Sequence, residues 1–177
     1  MVEEYRLYIA SLEKMLYELW RLCTATFSAE LWMGTWGTGP FDSDIAGDFL
    51  DQLEGLSALQ RLAVMERTFR VVVESCASST SSVLPEEVIA AAALMAANIP
   101  EGRSFAWDEE YPGMSEWLPK PIPSDLAPNA LQALDVAIPP EGWFWRSWVD
   151  DRDRAETQAV IESLWAVLLG ISGGESQ

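Results

Sequence analysis

The sequence predicts an all-α protein that forms a single compact bundle of five to six helices. In successive segments, apolar residues recur at the three- and four-residue spacing of a buried helix face, and no segment shows the strict apolar–polar alternation of a strand. Glycine, proline and small polar residues separate these segments. The chain has 177 residues, of which 49% are hydrophobic, so it is long enough and apolar enough to bury one core.

An amphipathic helix is predicted first, over residues 3–23. Its apolar residues follow a 3-4-3-4-3 spacing and are Tyr5, Tyr8, Leu12, Met15, Leu19 and Leu22. The pattern spans fewer than three heptads, which is too short for a stable coiled coil. We therefore expect this helix to pack on its own domain or on a partner, and we assign residues 1–32 to an N-terminal helical extension.

An ordered turn is predicted before the second helix, because glycine, proline and tryptophan crowd residues 34–41. The residues assigned to this structural turn are Gly34, Trp36, Gly37, Gly39, Phe41 and Asp42. We expect Trp36 and Phe41 to turn inward and cover the end of the bundle. Either Asp42 or Ser43 caps the helix that comes next, and our hypothesis is that Asp42 accepts hydrogen bonds from its first amides.

The remaining helices are placed by apolar stripes and by terminal residues that start or stop a helix. They are predicted over residues 43–54, 57–77, 85–98, 125–138 and 150–169. Between the third and fourth of these lies a Pro-rich loop, residues 99–124, which we expect Trp107 and Trp117 to anchor to the core. Residues 171–177 are expected to form a flexible tail.

The charge balance excludes several classes of partner. The formal net charge is −17, from 28 acidic against 11 basic residues, so the long-range field repels nucleic acids and anionic membrane surfaces. A basic protein would be attracted. The longest apolar run, from Val88 to Ala97, is half the roughly 20 residues that a membrane-spanning helix needs. We therefore expect no nucleic acid and no membrane among the partners.

The residues that usually carry catalysis are scarce. The chain has no histidine, which removes the commonest general base and metal ligand and the usual activator of serine and cysteine nucleophiles. Its two cysteines, Cys23 and Cys76, are too few for a thiolate zinc site and are typical of reduced thiols in a cytoplasmic protein. The sequence predicts no cofactor and no set of catalytic residues.

Three aspartates form the first candidate binding surface. Asp44, Asp48 and Asp51 are spaced i, i+4 and i+7, which places them on one helix face. The segment from Asp42 resembles a calcium loop, but its fifth and twelfth positions hold Ala46 and Leu53 instead of oxygen ligands. We predict no metal site here. The aspartates are candidates for contact with a basic partner, and the alternative is an ordinary solvated face.

Trp145 is the second candidate for partner binding. It lies in an aromatic segment between Trp143 and Trp148, and a tryptophan offers a large apolar surface with one polar edge. The alternative is that most of the nine tryptophans anchor the core or the loops. Exposed tryptophan beside carboxylates could also hold a sugar, and two carboxylates suffice for glycoside hydrolysis. A carboxylate-only enzyme, metal-dependent or glycan-acting, is therefore the alternative function.

The segment from Met33 to Leu50, which reads Met-Gly-Thr-Trp-Gly-Thr-Gly-Pro-Phe-Asp-Ser-Asp before the second helix, resembles the opening of the bacterial family called domain of unknown function 4259. The alanine-rich segment that begins at Pro85 is similar to a later helix of that family. Ser43 stands where the family usually has asparagine, a change between two capping residues. The resemblance covers residues 33–170, which we assign to one family-like helical domain, and Met33 matches the usual start.

The resemblance implies no particular activity. By analogy with immunity proteins of similar size and acidity encoded near bacterial toxins, we expect a non-catalytic, acidic protein-interaction module that neutralises a basic toxin. The sequence leaves the oligomeric state open.

Overall fold

The computed structural model describes residues 37–75, 83–100, 102, 105, 107 and 111–172. The contacts of the chain place all of these in one unit, which spans Gly34–Gln177. The helix predicted over residues 3–23 lies outside the described residues, as do Gly34 and Trp36 of the predicted turn. The assignment of residues 1–32 to a separate extension stays a prediction.

Six α-helices and one short 3-10 helix make up the described regular structure. They are α1 (Asp44–Leu53), α2 (Ala58–Ser75), α3 (Pro85–Ala97), the 3-10 helix η1 (Met114–Glu116), α4 (Leu126–Ala137), α5 (Trp143–Ser147) and α6 (Asp151–Ser172). The described residues contain no strand. The predicted all-α bundle is therefore confirmed. None of the described helices combines the length and the apolarity required to cross a membrane.

Local sequence signals explain where the first helices begin and end. The Ser43 hydroxyl accepts a hydrogen bond from the Ala46 amide at 3.1 Å, so Ser43 is the N-cap of α1. Just after this helix, Gly55 adopts φ +71°, a left-handed conformation that glycine tolerates best. At the start of α3, the Glu87 carboxylate accepts from the Leu84 amide at 2.7 Å, and Pro85 occupies the first turn.

Two elements differ from the sequence-based boundaries. The sequence predicts α5 only as a lead-in to the last helix, because five residues are too few to show a helical period. Burial of Phe144, which is 5% exposed, holds α5 against the core. α6 continues to Ser172, beyond the predicted end at about residue 169, because Ile171 still packs against the core.

α3 is the centre of the bundle. Every residue from Val88 to Ala97 is buried, and the helix packs against α1, α2, α4, α6 and η1. A helix that is apolar on all sides has to be surrounded by protein. The alanines at 90–93, 96 and 97 let neighbouring backbones approach closely, and the larger apolar side chains come from the surrounding helices.

The surrounding helices bury one stripe each. In α2 this stripe is Leu62, Met65, Phe69 and Val72, and in α6 it includes Ile161, Leu164 and Leu168. The opposite faces are polar, as Arg67 and Arg70 show on α2. This amphipathic pattern is what the sequence periodicity predicts.

A buried asparagine joins the end of α3 to the Pro-rich loop. The Asn98 side-chain amide donates to the carbonyl oxygens of Leu94 at 2.8 Å and Met114 at 2.9 Å. Its carbonyl oxygen accepts from the Leu118 amide at 3.0 Å. The loop approaches α3 so closely at Gly102 that a Cβ there would overlap the carbonyl oxygen of Ala96. These contacts, more than helical structure, hold the described part of the Pro-rich loop in place.

We expect Asn98→Ala to lower the free energy of unfolding by about 3 kcal/mol, because three buried hydrogen bonds to backbone groups are lost at once. Urea denaturation followed by circular dichroism measures this loss. Asn129→Ala, at an exposed position of α4, is the matched control and should change stability by less than about 0.5 kcal/mol. Equal losses in the two variants would contradict the role given to Asn98.

Glu86, in the first turn of α3, carries a half-buried carboxyl group. Its Oε2 atom is buried and has no hydrogen-bond partner among the described residues. Burial raises the pKa of Glu86 above its ordinary value; a backbone hydrogen bond opposes this, and the charge of Glu87 adds to it. The folded state therefore holds this proton at pH values where the unfolded chain has released it.

We expect Glu86→Gln to raise the free energy of unfolding at neutral pH. A raised carboxyl pKa contributes stability that is present below the ordinary pKa and is lost as pH rises through the folded-state value. Glutamine is neutral throughout, so the variant should lose this part of the pH dependence. Melting temperatures between mildly acidic and neutral pH test this, with Glu74→Gln as an exposed control. A variant no more stable than the parent at neutral pH would refute it.

Candidate functional site

The turn before α1 is closed by Asp42. The Asp42 amide donates to the carbonyl oxygen of Gly39 at 3.3 Å, and the Asp42 carboxylate accepts from the Gly39 amide at 2.7 Å. A Cβ at Gly37 or Gly39 would overlap this carboxylate, so the glycines allow the close approach. The hypothesis that Asp42 caps α1 is wrong, since its carboxylate is already bound within the turn and Ser43 supplies the cap.

Phe41 connects this turn to the Pro-rich loop. It is 4% exposed, and its ring makes edge-to-face contacts with Trp107 at 5.5 Å and Tyr111 at 5.3 Å between centroids. Trp107 in turn stacks on Phe105 at 4.3 Å. Phe41 therefore points inward, and Trp107 anchors the loop as expected. Phe105 and Tyr111 are not predictable from the sequence, because aromatic residues in an irregular loop carry no periodic signal.

Trp117, the second expected anchor, contacts a cation. The guanidinium of Arg61 lies 4.5 Å from the centre of the Trp117 ring. Arg61 also donates from Nε to the carbonyl oxygen of Leu53 at 3.0 Å. One side chain of α2 thus holds both the end of α1 and the Pro-rich loop. Contacts from other segments therefore hold both the turn before α1, through Phe41, and the end of α1, through Leu53.

α1 carries its aspartates outward into an open groove. Asp44, Asp48 and Asp51 are exposed, whereas Ala46, Phe49, Leu50 and Leu53 of the same helix are buried. The groove has a volume of about 610 Å³, and Phe41, Asp42, Ser43, Gly47 and Tyr111 complete its lining. We call this the acidic groove. It unites the three predicted aspartates with two residues of the predicted turn.

The acidic groove offers carboxylates beside the partly exposed ring of Tyr111. Its charged groups come from one helix face and one turn, and Tyr111 and Phe41 belong to the same lining. Within the described part of the chain, no three acidic or cysteine side chains are grouped so that they could hold a metal ion. Guanidinium and ammonium groups suit this surface, because carboxylates attract their charge and aromatic rings accept their apolar stems.

Trp145 lies on a different surface. Its Nε1 donates to the carbonyl oxygen of Ile138 at 3.2 Å, and its ring meets Phe144 edge-to-face at 5.0 Å. It lines a second cavity with α6 that shares no residue with the acidic groove. The structure therefore brings together Asp44, Asp48 and Asp51 but does not place Trp145 beside them.

Fold and groove together define a small acidic helical protein with an open groove that is lined by three exposed aspartates. The family model for the domain of unknown function DUF4259 matches residues 34–160, and the chain belongs to this family. The family membership inferred from the block around Trp36 and Asp42 is thus confirmed. No curated protein and no solved structure matches the chain. Both the acidic groove and the turn before α1 lie within the matched residues.

We expect Asp42→Ala to lower the free energy of unfolding by about 1.5 kcal/mol, because the Gly39 amide loses a charged acceptor. Asp42→Asn keeps a side-chain oxygen and should lose less. Asp48→Ala, which removes an exposed carboxylate from the same groove, should stay within about 0.5 kcal/mol of the parent. Thermal and urea unfolding compare the three variants. If Asp42→Ala is as stable as Asp48→Ala, Asp42 does not close the turn.

Proposed function

We propose that this chain is a non-catalytic protein-interaction module that binds a basic protein through the acidic groove. The observation that carries the proposal is the groove itself: three exposed aspartates of α1 lie beside Tyr111 and Phe41 in one concavity. The net charge of −17 supports it, because a strong negative field speeds encounter with a cationic protein.

The spacing of the aspartates suits a regular basic partner. Along a helix that rises about 1.5 Å per residue, Asp48 lies roughly 6 Å and Asp51 roughly 10 Å from Asp44 in the axial direction. Arginines or lysines spaced by one and two turns on a partner helix have the same separation. Exposed ion pairs contribute little to affinity, so the partly exposed ring of Tyr111 would supply the apolar contact that they lack.

A basic toxin that acts on nucleic acid is the partner class that we propose to test first. Such a protein needs a cationic surface to bind phosphates, and an acidic module that covers this surface would inhibit it. We propose that the encounter takes place in the cytoplasm. Metal-dependent hydrolysis is not part of the proposal, because the described residues supply no cluster of metal ligands.

Charge-neutral substitutions in the acidic groove test this function. The combined variant Asp44→Asn, Asp48→Asn and Asp51→Asn removes three negative charges while preserving side-chain size. The matched control Glu74→Gln, Glu116→Gln and Asp153→Asn removes three exposed negative charges elsewhere. The long-range attraction to a basic partner falls equally in both variants. A difference in affinity between them therefore measures the contribution of the acidic groove.

The parent chain is used to capture a partner protein from the native host, and mass spectrometry identifies that partner. The affinity of the partner for the parent chain and for both variants is then measured by calorimetry. We expect a basic partner whose affinity falls at least about tenfold, or ~1.4 kcal/mol, in the groove variant and less than about threefold in the control. Equal affinities in the two variants, or capture of only acidic or neutral proteins, would refute the proposal.

A further inference from the structure

A second groove runs along the last helix. It is formed by the end of α4, the Pro140–Glu141 segment, α5 and α6, and it has a volume of about 600 Å³. Its apolar lining includes Ile138, Trp145, Ile161, Trp165 and Leu169. We call it the aromatic groove. Since it shares no residue with the acidic groove, a ligand of the aromatic groove is independent of the function proposed above.

One face of α6 supplies most of the length of this groove. The residues of α6 that line it fall between Arg154 and Leu169 at helical spacing, and include Gln158, Ile161 and Trp165. At about 1.5 Å per residue, this face is roughly 22 Å long. A second helix of about four turns has the same length. The groove therefore suits a helical segment better than a compact small molecule.

The wall opposite α6 is already ordered. The Trp145 indole is tied to the carbonyl oxygen of Ile138, and its ring packs on buried Phe144. A partner that binds here would not have to immobilise this ring, so little conformational entropy would be lost on binding. At the far end of the groove, Leu169 is 54% exposed, which leaves a large apolar side chain in solvent.

The charged residues of the aromatic groove determine which kind of helix fits. Asp135, Glu141 and Glu162 are exposed acids in its lining, and Arg154 is the basic residue among them. The net charge of the lining is therefore negative, and these charged residues surround an apolar centre. An amphipathic helix with large apolar side chains on one face and lysine or arginine beside them complements both features.

We propose that the aromatic groove binds a basic amphipathic helix of a partner protein. The apolar face of that helix lies between Trp145 and α6, and its flanking cations face Asp135, Glu141 and Glu162. Apolar anchors at i, i+3 or i+4, and i+7 follow the side chains of α6, as in other helix-in-groove complexes.

A defined peptide tests this proposal. The probe is a fluorescein-labelled 18-residue helical peptide of leucine and lysine, with leucine confined to one face, titrated by fluorescence anisotropy at about 150 mM salt to screen distant charges. A second peptide has serine in place of every leucine. The parent chain should bind the leucine peptide and not the serine peptide, because charge alone does not fill the apolar groove.

Two substitutions in the groove have matched controls elsewhere. Leu169→Asp places a charge at the exposed apolar end of the groove, and Leu59→Asp does the same at the exposed face of α2, where Leu59 is 69% exposed. We expect about a tenfold loss of affinity for Leu169→Asp, the size typical of an interface anchor, and no change for Leu59→Asp. Glu162→Gln should weaken binding more than Glu74→Gln does. Leu169→Ser replaces the aspartate variant if that variant does not melt cooperatively.

The tryptophan indole signals in ¹H–¹⁵N spectra give a direct readout of position. Addition of the leucine peptide should shift the Trp145 and Trp165 signals more than that of Trp117, which contacts Arg61 on another surface. The signals are assigned with single Trp→Phe variants.

Five outcomes would overturn the proposal. Unchanged affinity in Leu169→Asp, equal binding of the serine peptide, or shifts confined to Trp117 would each exclude this groove as the binding site. Binding lost in the Asp44, Asp48 and Asp51 variant but kept in Leu169→Asp would place the peptide in the acidic groove, in favour of the proposed function alone. If the peptide does not bind and sedimentation shows self-association that Leu169→Asp abolishes, the occupant is a second copy of the chain.

Discussion

Burial of α3 on every side is the constraint on which the rest of the structure depends. Every side chain from Val88 to Ala97 is buried, and the run is rich in alanine. Each alanine buries little apolar area by itself. Because its side chain is small, however, other helices come close enough to α3 for their larger side chains to pack around it. Phe69 and Met65 of α2, with Leu134 of α4, are fully buried in this way. Four helices are thereby ordered around one.

The packing of helices around α3 also determines where the irregular segments lie. Asn98 ends α3 and binds the loop backbone at Met114 and Leu118, so the Pro-rich loop is held where the central helix stops. The loop brings Trp107 and Tyr111 against Phe41, and this contact positions the turn before α1. Because α1 buries Phe49 and Leu53 against the bundle, its aspartates face outward. The acidic groove is therefore a consequence of how the core packs.

The two grooves differ in the side chains that line them. One sets carboxylates of a single helix face beside Tyr111, and the other sets two tryptophans and exposed Leu169 within a rim that is mostly acidic. In a chain of net charge −17, acidic residues outnumber basic ones in the lining of both grooves, and the aromatic groove has the longer apolar surface of the two. Charge would govern the rate of encounter at either groove, whereas buried apolar contact would govern how long a partner stays.

Periodicity and capping residues in the sequence were enough to determine the helical class, the boundaries of α1 and α3, and the outward face of Asp44, Asp48 and Asp51. These features depend on residues within a few positions of one another, so the order of residues in the sequence is sufficient to predict them. The contacts of Phe41 with Tyr111, the short helix α5 and the separation of Trp145 from the aspartates were decided by tertiary structure. Each depends on groups that packing brings together, and α5 and Trp145 owe their positions to burial of Phe144 in a core assembled from distant segments.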